Sequence, residues 1–125
     1  MSDSNVLYAL EDRCLYIKLT GEIRHTVCSG FDALIQQSIQ MDQADRFVVD
    51  LRETQYLDST TLGIIARMAR HMQNKSKGKP VIISTNDDVN QILNSVQFGS
   101  VTEIVTDLKH LPDQYLESDT FMKKS

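Results

Sequence analysis

The sequence predicts a single α/β domain: a mixed, largely parallel sheet of about five strands with about four helices packed against it. Two patterns carry this expectation. Short β-favouring runs alternate with segments whose apolar residues recur at helical spacing. Parallel strands need long crossovers and helices provide them, so the alternation favours an α/β sheet. Size and composition agree. The chain has 125 residues, 41% hydrophobic and 24% charged, with five glycines and two prolines. Such a length closes one core, within the usual ~100–150-residue mode for a domain. Composition near the globular average argues against a disordered, collagen-like or disulfide-scaffold chain.

Residues 6–10 read as a short strand and Glu11, Asp12 and Arg13 as a turn. In the strand at 14–20, Leu15, Ile17 and Leu19 alternate with Tyr16, Lys18 and Thr20, which predicts one buried face. Phe31, Leu34, Ile35 and Ile39 then fit one helical face, with Ser29 as a cap. Phe47, Val48 and Val49 form a compact run, as expected of a strand buried on both faces. A second helix follows through Leu62, Ile65, Ala69 and Met72, ended by Gly78 and Pro80. Val81, Ile82 and Ile83 predict another strand. Val89, Ile92, Leu93 and Val96 predict a third helix capped by Asp87 or Asp88, and 101–105 a last strand. A fourth helix is expected over 107–116, with Pro112 near its start. Residues 1–5 are expected to be a flexible N-terminus, 6–116 the domain, and 117–125 a flexible C-terminal tail.

No apolar run approaches the ~20 residues that span a bilayer, and the start is polar, so a cytoplasmic protein with no membrane partner is expected. A formal charge of −4 gives no general attraction to nucleic acid, and none is expected as a partner. Cys14 and Cys28 match neither a CxxC motif nor a metal cluster and read as reduced thiols. His25, His71 and His110 lack metal-ligand spacing. With no glycine-rich phosphate loop, paired acids or nucleophile–base set, no catalytic residue, cofactor or metal is expected. Arg67, Arg70, His71, Lys75, Lys77 and Lys79 gather late in the second helix and beyond it. They read as dipole complementation on a solvated face, or as a docking surface for an acidic partner.

In open α/β sheets the working surface lies at the carboxyl ends of strands, where helices begin. There the chain reads Tyr56-Leu57-Asp58-Ser59-Thr60-Thr61-Leu62-Gly63. Asp58 or Ser59 suits an ordinary helix cap. The same residues also set three consecutive hydroxyls beside a carboxylate at the positive end of a helix. A phosphate there would add about −1.5 to −2 charge, favoured by the helix end and opposed by Asp58.

Residues 57–63 resemble the phosphorylation motif of the STAS-domain anti-sigma factor antagonists of bacteria, together with Leu19-Thr20-Gly21-Glu22 and Phe47-Val48-Val49-Asp50-Leu51 upstream. The likeness spans roughly residues 6–116. It implies a STAS-like fold and a non-enzymatic, partner-switching role in signal transduction and transcription regulation, including stress response. It selects Ser59 as the phosphorylated residue. Asp58, Thr60, Thr61 and Arg24 around it are expected to be partner-binding positions. The implied partners are an anti-sigma factor or serine kinase, and a metal-dependent serine phosphatase that restores the unmodified form. Three residues depart from the family pattern. Thr61 stands where glycine or alanine is common, and Gln97 where glycine is common, read as local packing variation. Arg24 stands where many members carry aspartate, which reverses charge and supplies donors instead of acceptors. The alternative is a receiver-like signalling domain phosphorylated on Asp50, with Glu53 and Asp58 converging on it as an acidic pocket.

Overall fold

Strands β1 (Asn5–Glu11) and β2 (Cys14–Ile23) pair antiparallel, from Asn5 opposite Thr20 to Glu11 opposite Cys14. Asp12 and Arg13 between them both take positive φ, 53° and 61°. This doubly left-handed turn matches the twist of a two-residue hairpin. The computed structural model describes residues 4–106 and 122–124, the backbone alone at 25–27 and 122–124. Beyond the hairpin come α1 (His25–Gln40), β3 (Arg46–Leu57), α2 (Ser59–Asn74), β4 (Val81–Ile83), α3 (Asp87–Ser95), a 3₁₀ turn (Phe98–Ser100), β5 (Glu103–Val105) and β6 (Met122–Lys124).

The sheet runs β5-β4-β3-β2-β1-β6. β2 through β5 are mutually parallel, while β1 is antiparallel to both of its neighbours. The mixed, largely parallel architecture is the one expected. β6 gives the sheet a sixth strand, so residues 122–124 of the expected flexible tail pair with β1. The described residues contain three α-helices; the helix expected over 107–116 lies outside them.

One sheet face carries Leu15, Ile17 and Leu19 of β2 and Phe47, Val49 and Leu51 of β3. These join Phe31, Ile35, Ile65, Met68, Met72, Val89 and Leu93 of the helices in the main core. Each such aliphatic side chain contributes roughly 1.5–3 kcal/mol when fully buried. The other face also excludes water, against the expectation of one buried face for β2. Tyr16 and Cys14 cluster there with Ala9, Val48 and Ile83. Lys18 on that face is buried because its ammonium meets the Glu53 carboxylate.

Element ends depart from expectation for local reasons. α1 starts at His25, four residues before the expected cap Ser29, with Arg24 at the N-cap and no side-chain cap bond. α3 is capped by Asn86 rather than Asp87 or Asp88: its side-chain oxygen accepts from the amides of Asp88 and Val89 at 2.8 and 3.4 Å. α2 stops at Asn74, before Gly78. Ser76 adopts φ 56°, its amide donates to Gln73 O, and the Lys77 amide donates to Met72 O at 2.9 Å. That bond pair is the Schellman stop, which needs a left-handed residue one position past the cap. β3 runs far beyond 47–49, to Leu57, and so delivers Asp58 directly to α2.

Candidate functional site

The parallel β2–β3 register builds the site. Glu22 lies opposite Tyr56 and Ile23 opposite Leu57, after a bulge between Gly21 and Glu22. The Asp58 amide then donates to Ile23 O at 3.3 Å. The entry to α1 and the entry to α2 are thereby fixed side by side, with Arg24 following Ile23 where Asp58 follows Leu57.

Asp58 is the N-cap of α2 in extended backbone, φ −96°. Its Oδ1 accepts from the Thr61 amide at 3.1 Å and from the Thr61 hydroxyl at 3.2 Å. The Cys28 sulfur of α1 lies 3.0 Å from Thr61 Oγ1 and 3.8 Å from Asp58 Oδ1. A chain of polar contacts thus runs from the α1 thiol through the α2 hydroxyl to the capping carboxylate. Burial pushes the Cys28 thiol above its ordinary range, and the nearby Asp58 carboxylate adds to the rise, so the sulfur stays protonated and able to donate.

The expected site residues therefore divide. Asp58 faces inward as a cap. Ser59 and Thr60 are exposed in the first turn of α2. Thr61, expected as a partner-binding residue, is 0% exposed and links the cap to α1; burial removes it from any docking surface. Arg24 is exposed, its guanidinium carbon 4.6 Å from the centre of the Tyr56 ring and its Nε 3.6 Å from Glu22. Cys28 and Tyr56 belong to this site, yet neither is marked by a motif role. An aromatic two residues before the capping aspartate was the one available signal for Tyr56.

A shallow groove of about 640 Å³ borders the junction between α1 and α2, lined by Cys28, Ser29, Asp32, Thr60, Gly63, Ile64 and Arg67. Arg67 of α2 pairs with Asp32 of α1 across it. Gly63 takes no positive φ, and a Cβ there would meet nothing within 4 Å. The fold itself does not require that glycine.

The acidic pocket of the alternative is not formed. Asp50 is buried and bidentate with Arg52, Oδ2 to Nη2 at 2.5 Å and Oδ1 to Nε at 2.9 Å, and it also accepts the Arg52 amide. Glu53 is engaged by Lys18 and Asp58 by Thr61. Each carboxylate has a separate partner. Of the late basic residues, Arg67 pairs with Asp32, and Lys77 reaches Asp45 at 2.9 Å and Asp42 at 3.5 Å, so these two are not free for an acidic partner. Among the described residues no group of three or more His, Cys, Asp or Glu is arranged to hold a metal. Cys14 and Cys28 are free thiols. No described helix is long and apolar enough to cross a membrane.

The STAS domain family model matches residues 6–111, and the chain belongs to that family. An anti-sigma F factor antagonist from Paenibacillus polymyxa is 27% identical over 79 residues, 63% of this chain and 67% of the relative. An anti-sigma factor antagonist from Mycobacterium paratuberculosis has the same fold, with a TM-score of 0.72 at 18% identity, covering 91% of this chain and 92% of that one. The Bacillus cell fate determinant SpoIIAA in its phosphorylated form superposes with a TM-score of 0.65 at 15% identity, covering 86% and 93%.

Proposed function

We infer that this protein is a phosphorylation-controlled interaction module, an anti-sigma factor antagonist that switches partners through Ser59. The observation that carries the reading is the division of labour at the start of α2. Asp58 supplies the cap from a side chain turned inward, which leaves the Ser59 hydroxyl exposed and without a structural task. A kinase would transfer the γ-phosphoryl of a nucleoside triphosphate to Ser59 Oγ, with loss of the hydroxyl proton and release of the diphosphate. The product places about two negative charges at the positive end of α2 beside Asp58. The fold can accept them while a docked partner is repelled.

In the unmodified state the exposed first turn and the α1–α2 groove form the binding face for an anti-sigma factor or serine kinase. Gly63 keeps that face low enough for a partner backbone to approach. A metal-dependent serine phosphatase resets the switch. The chain acts by binding rather than catalysis, in the cytoplasm. Kinase labelling with peptide mapping tests the reading: phosphate is expected on Ser59 and no stoichiometric labelling in Ser59→Ala. Full labelling of Ser59→Ala overturns it.

A further inference from the structure

We propose that Arg24 is a phosphate-operated latch: parked on Tyr56 and Glu22 in the unmodified protein, it swings to the phosphate when Ser59 is modified and uncovers the Tyr56 ring. The proposal rests on the Ser59 reading above and adds how modification reshapes the binding face.

The parked state is what the structure shows. The guanidinium stacks over Tyr56 at 4.6 Å and lies 3.6 Å from the Glu22 carboxylate. Both contacts are weakly held. The Arg24 and Glu22 side chains are 58% and 43% exposed, and an exposed ion pair of this length adds little stability. A cation over an exposed aromatic ring is similarly modest. The backbone, by contrast, is fixed: Ile23 O accepts from the Asp58 amide, so the root of Arg24 abuts the start of α2. The latch therefore asks for rotation of the Arg24 side chain alone, from the Tyr56 ring toward a group on Ser59, with the backbone left in place.

Charge then decides the direction. A phosphate on Ser59 would add its charge beside the capping Asp58, whose carboxylate is already negative. Three other described cations of β2, β3 and α2 are committed elsewhere: Arg67 to Asp32, Arg52 to Asp50, Lys18 to Glu53. Arg24 is an exposed cation rooted at the junction. A dianionic phosphate with three acceptor oxygens is a stronger partner than one distant carboxylate, and guanidinium geometry suits it bidentately. Transfer of Arg24 leaves the half-exposed Tyr56 ring bare and Glu22 unpaired. The modified face therefore differs in shape and charge pattern, beyond the phosphate itself.

The test installs phosphoserine at position 59 during translation, in the wild type, Arg24→Lys and Arg24→Ala, so that no kinase is needed. Phosphorus NMR reads the second ionisation of the phosphate, and proton NMR reads the ring-current shift that Tyr56 imposes on Arg24. A clamped phosphate should titrate about half to one unit below that in Arg24→Ala at low salt, with Arg24→Lys between them. The Arg24 ring-current shift seen in the unmodified wild type should collapse on modification. Equal titration in the wild type and Arg24→Ala, or an unchanged ring-current shift, overturns the latch. Neither result bears on whether a kinase selects Ser59, which the labelling of Ser59→Ala decides separately.

Discussion

The two ends of the helical layer are built by opposite rules. Where helices start, the caps Arg24, Asp58 and Asn86 are extended and unstrained, and the first turn of α2 leaves hydroxyls exposed. Where helices stop, the residues past the caps are Asp42, Ser76 and Gln97, all left-handed with φ 50°, 56° and 58°. Three loops are also stapled together at that closed end. Arg13 of the hairpin grips Asp45 through Nε at 2.6 Å and Nη2 at 3.0 Å and reaches Asp42 at 3.2 Å, while Lys77 joins the same two carboxylates. The Asp45 amide adds a 2.8 Å bond to Arg13 O. One end spends its polar groups on holding the fold, and the other keeps some unspent. A switch must stand at the second kind of end, because modification of the first would trade against stability.

The comparison breaks most severely if Thr61 is not structural. Thr61→Val keeps the shape but removes the hydroxyl between Asp58 and Cys28. It should lose about 1–3 kcal/mol of stability in urea titrations, because the buried Cys28 thiol and the half-buried Asp58 carboxylate each forfeit a partner. Thr61→Ser should recover much of that loss. An unchanged midpoint for Thr61→Val would return Thr61 to the candidate binding face.

Ser59→Asp probes the opposite property. Aspartate is a good residue at a helix start, so far-ultraviolet dichroism and the thermal midpoint should stay near wild type. Affinity for a partner of the unmodified form should nevertheless fall, by about tenfold or 1.4 kcal/mol, since the mimic carries roughly half of a phosphate's charge. Wholesale unfolding would show that this end also carries the fold.

These two residues also mark how far the sequence could be read. Ser59 could be singled out as a candidate because a cap, a hydroxyl run and a family motif coincide within seven residues. The burial of Thr61 was not, since it depends on Cys28 arriving from α1, thirty-three positions away. In the same way 47–49 announced β3, but its continuation through Asp50, Arg52, Glu53 and Thr54 did not. Those polar residues sit in a strand because Arg52 neutralises Asp50, Lys18 meets Glu53, and the Thr54 hydroxyl donates to Leu19 O at 2.7 Å. Local patterns expose apolar faces; cross-strand compensation becomes visible only in three dimensions. The start of α1 was hidden for another reason, because Arg24 offers no capping side chain to read. Gln97 was read as a packing variation, yet its left-handed φ gives a backbone reason for the family's glycine.

That backbone reason sharpens the comparison at the closed end. Asp and Asn tolerate left-handed geometry better than other non-glycine residues, so Asp42 is the least strained of the three stops. Gln97→Gly should therefore stabilise the protein by about 0.5–1 kcal/mol, and Ser76→Gly by a comparable amount. Asp42→Gly should gain less or lose, because it also deletes a carboxylate that Arg13 and Lys77 use. Partner affinity should not change in Gln97→Gly. Chemical denaturation of the three variants ranks them, and a destabilised Gln97→Gly would show that the side chain matters more than the backbone.

The smallest effect concerns the charges of the staple, which are exposed and screened. Hydrogen bonds from Arg13, then from Lys77, hold the Asp45 carboxyl well below the usual carboxylate range. A group with a lowered folded-state pKa lends stability that is fully present above its unfolded value, about 3.9. That contribution is lost as the pH falls through the folded-state value, when the unfolded chain takes up its proton first. Asp45→Asn should thus be less stable than wild type at neutral pH, and the gap should close progressively below about pH 4. Lys77 is raised by the same Asp45, so its contribution is present below its ordinary range and fades at strongly alkaline pH. Added salt should shrink the neutral-pH gap as well. Thermal midpoints of both proteins between pH 2 and pH 7 measure this directly. A gap that persists unchanged into acid would mean that Asp45 acts through shape rather than charge, and the closed end would owe its rigidity to its left-handed stops and backbone bonds alone.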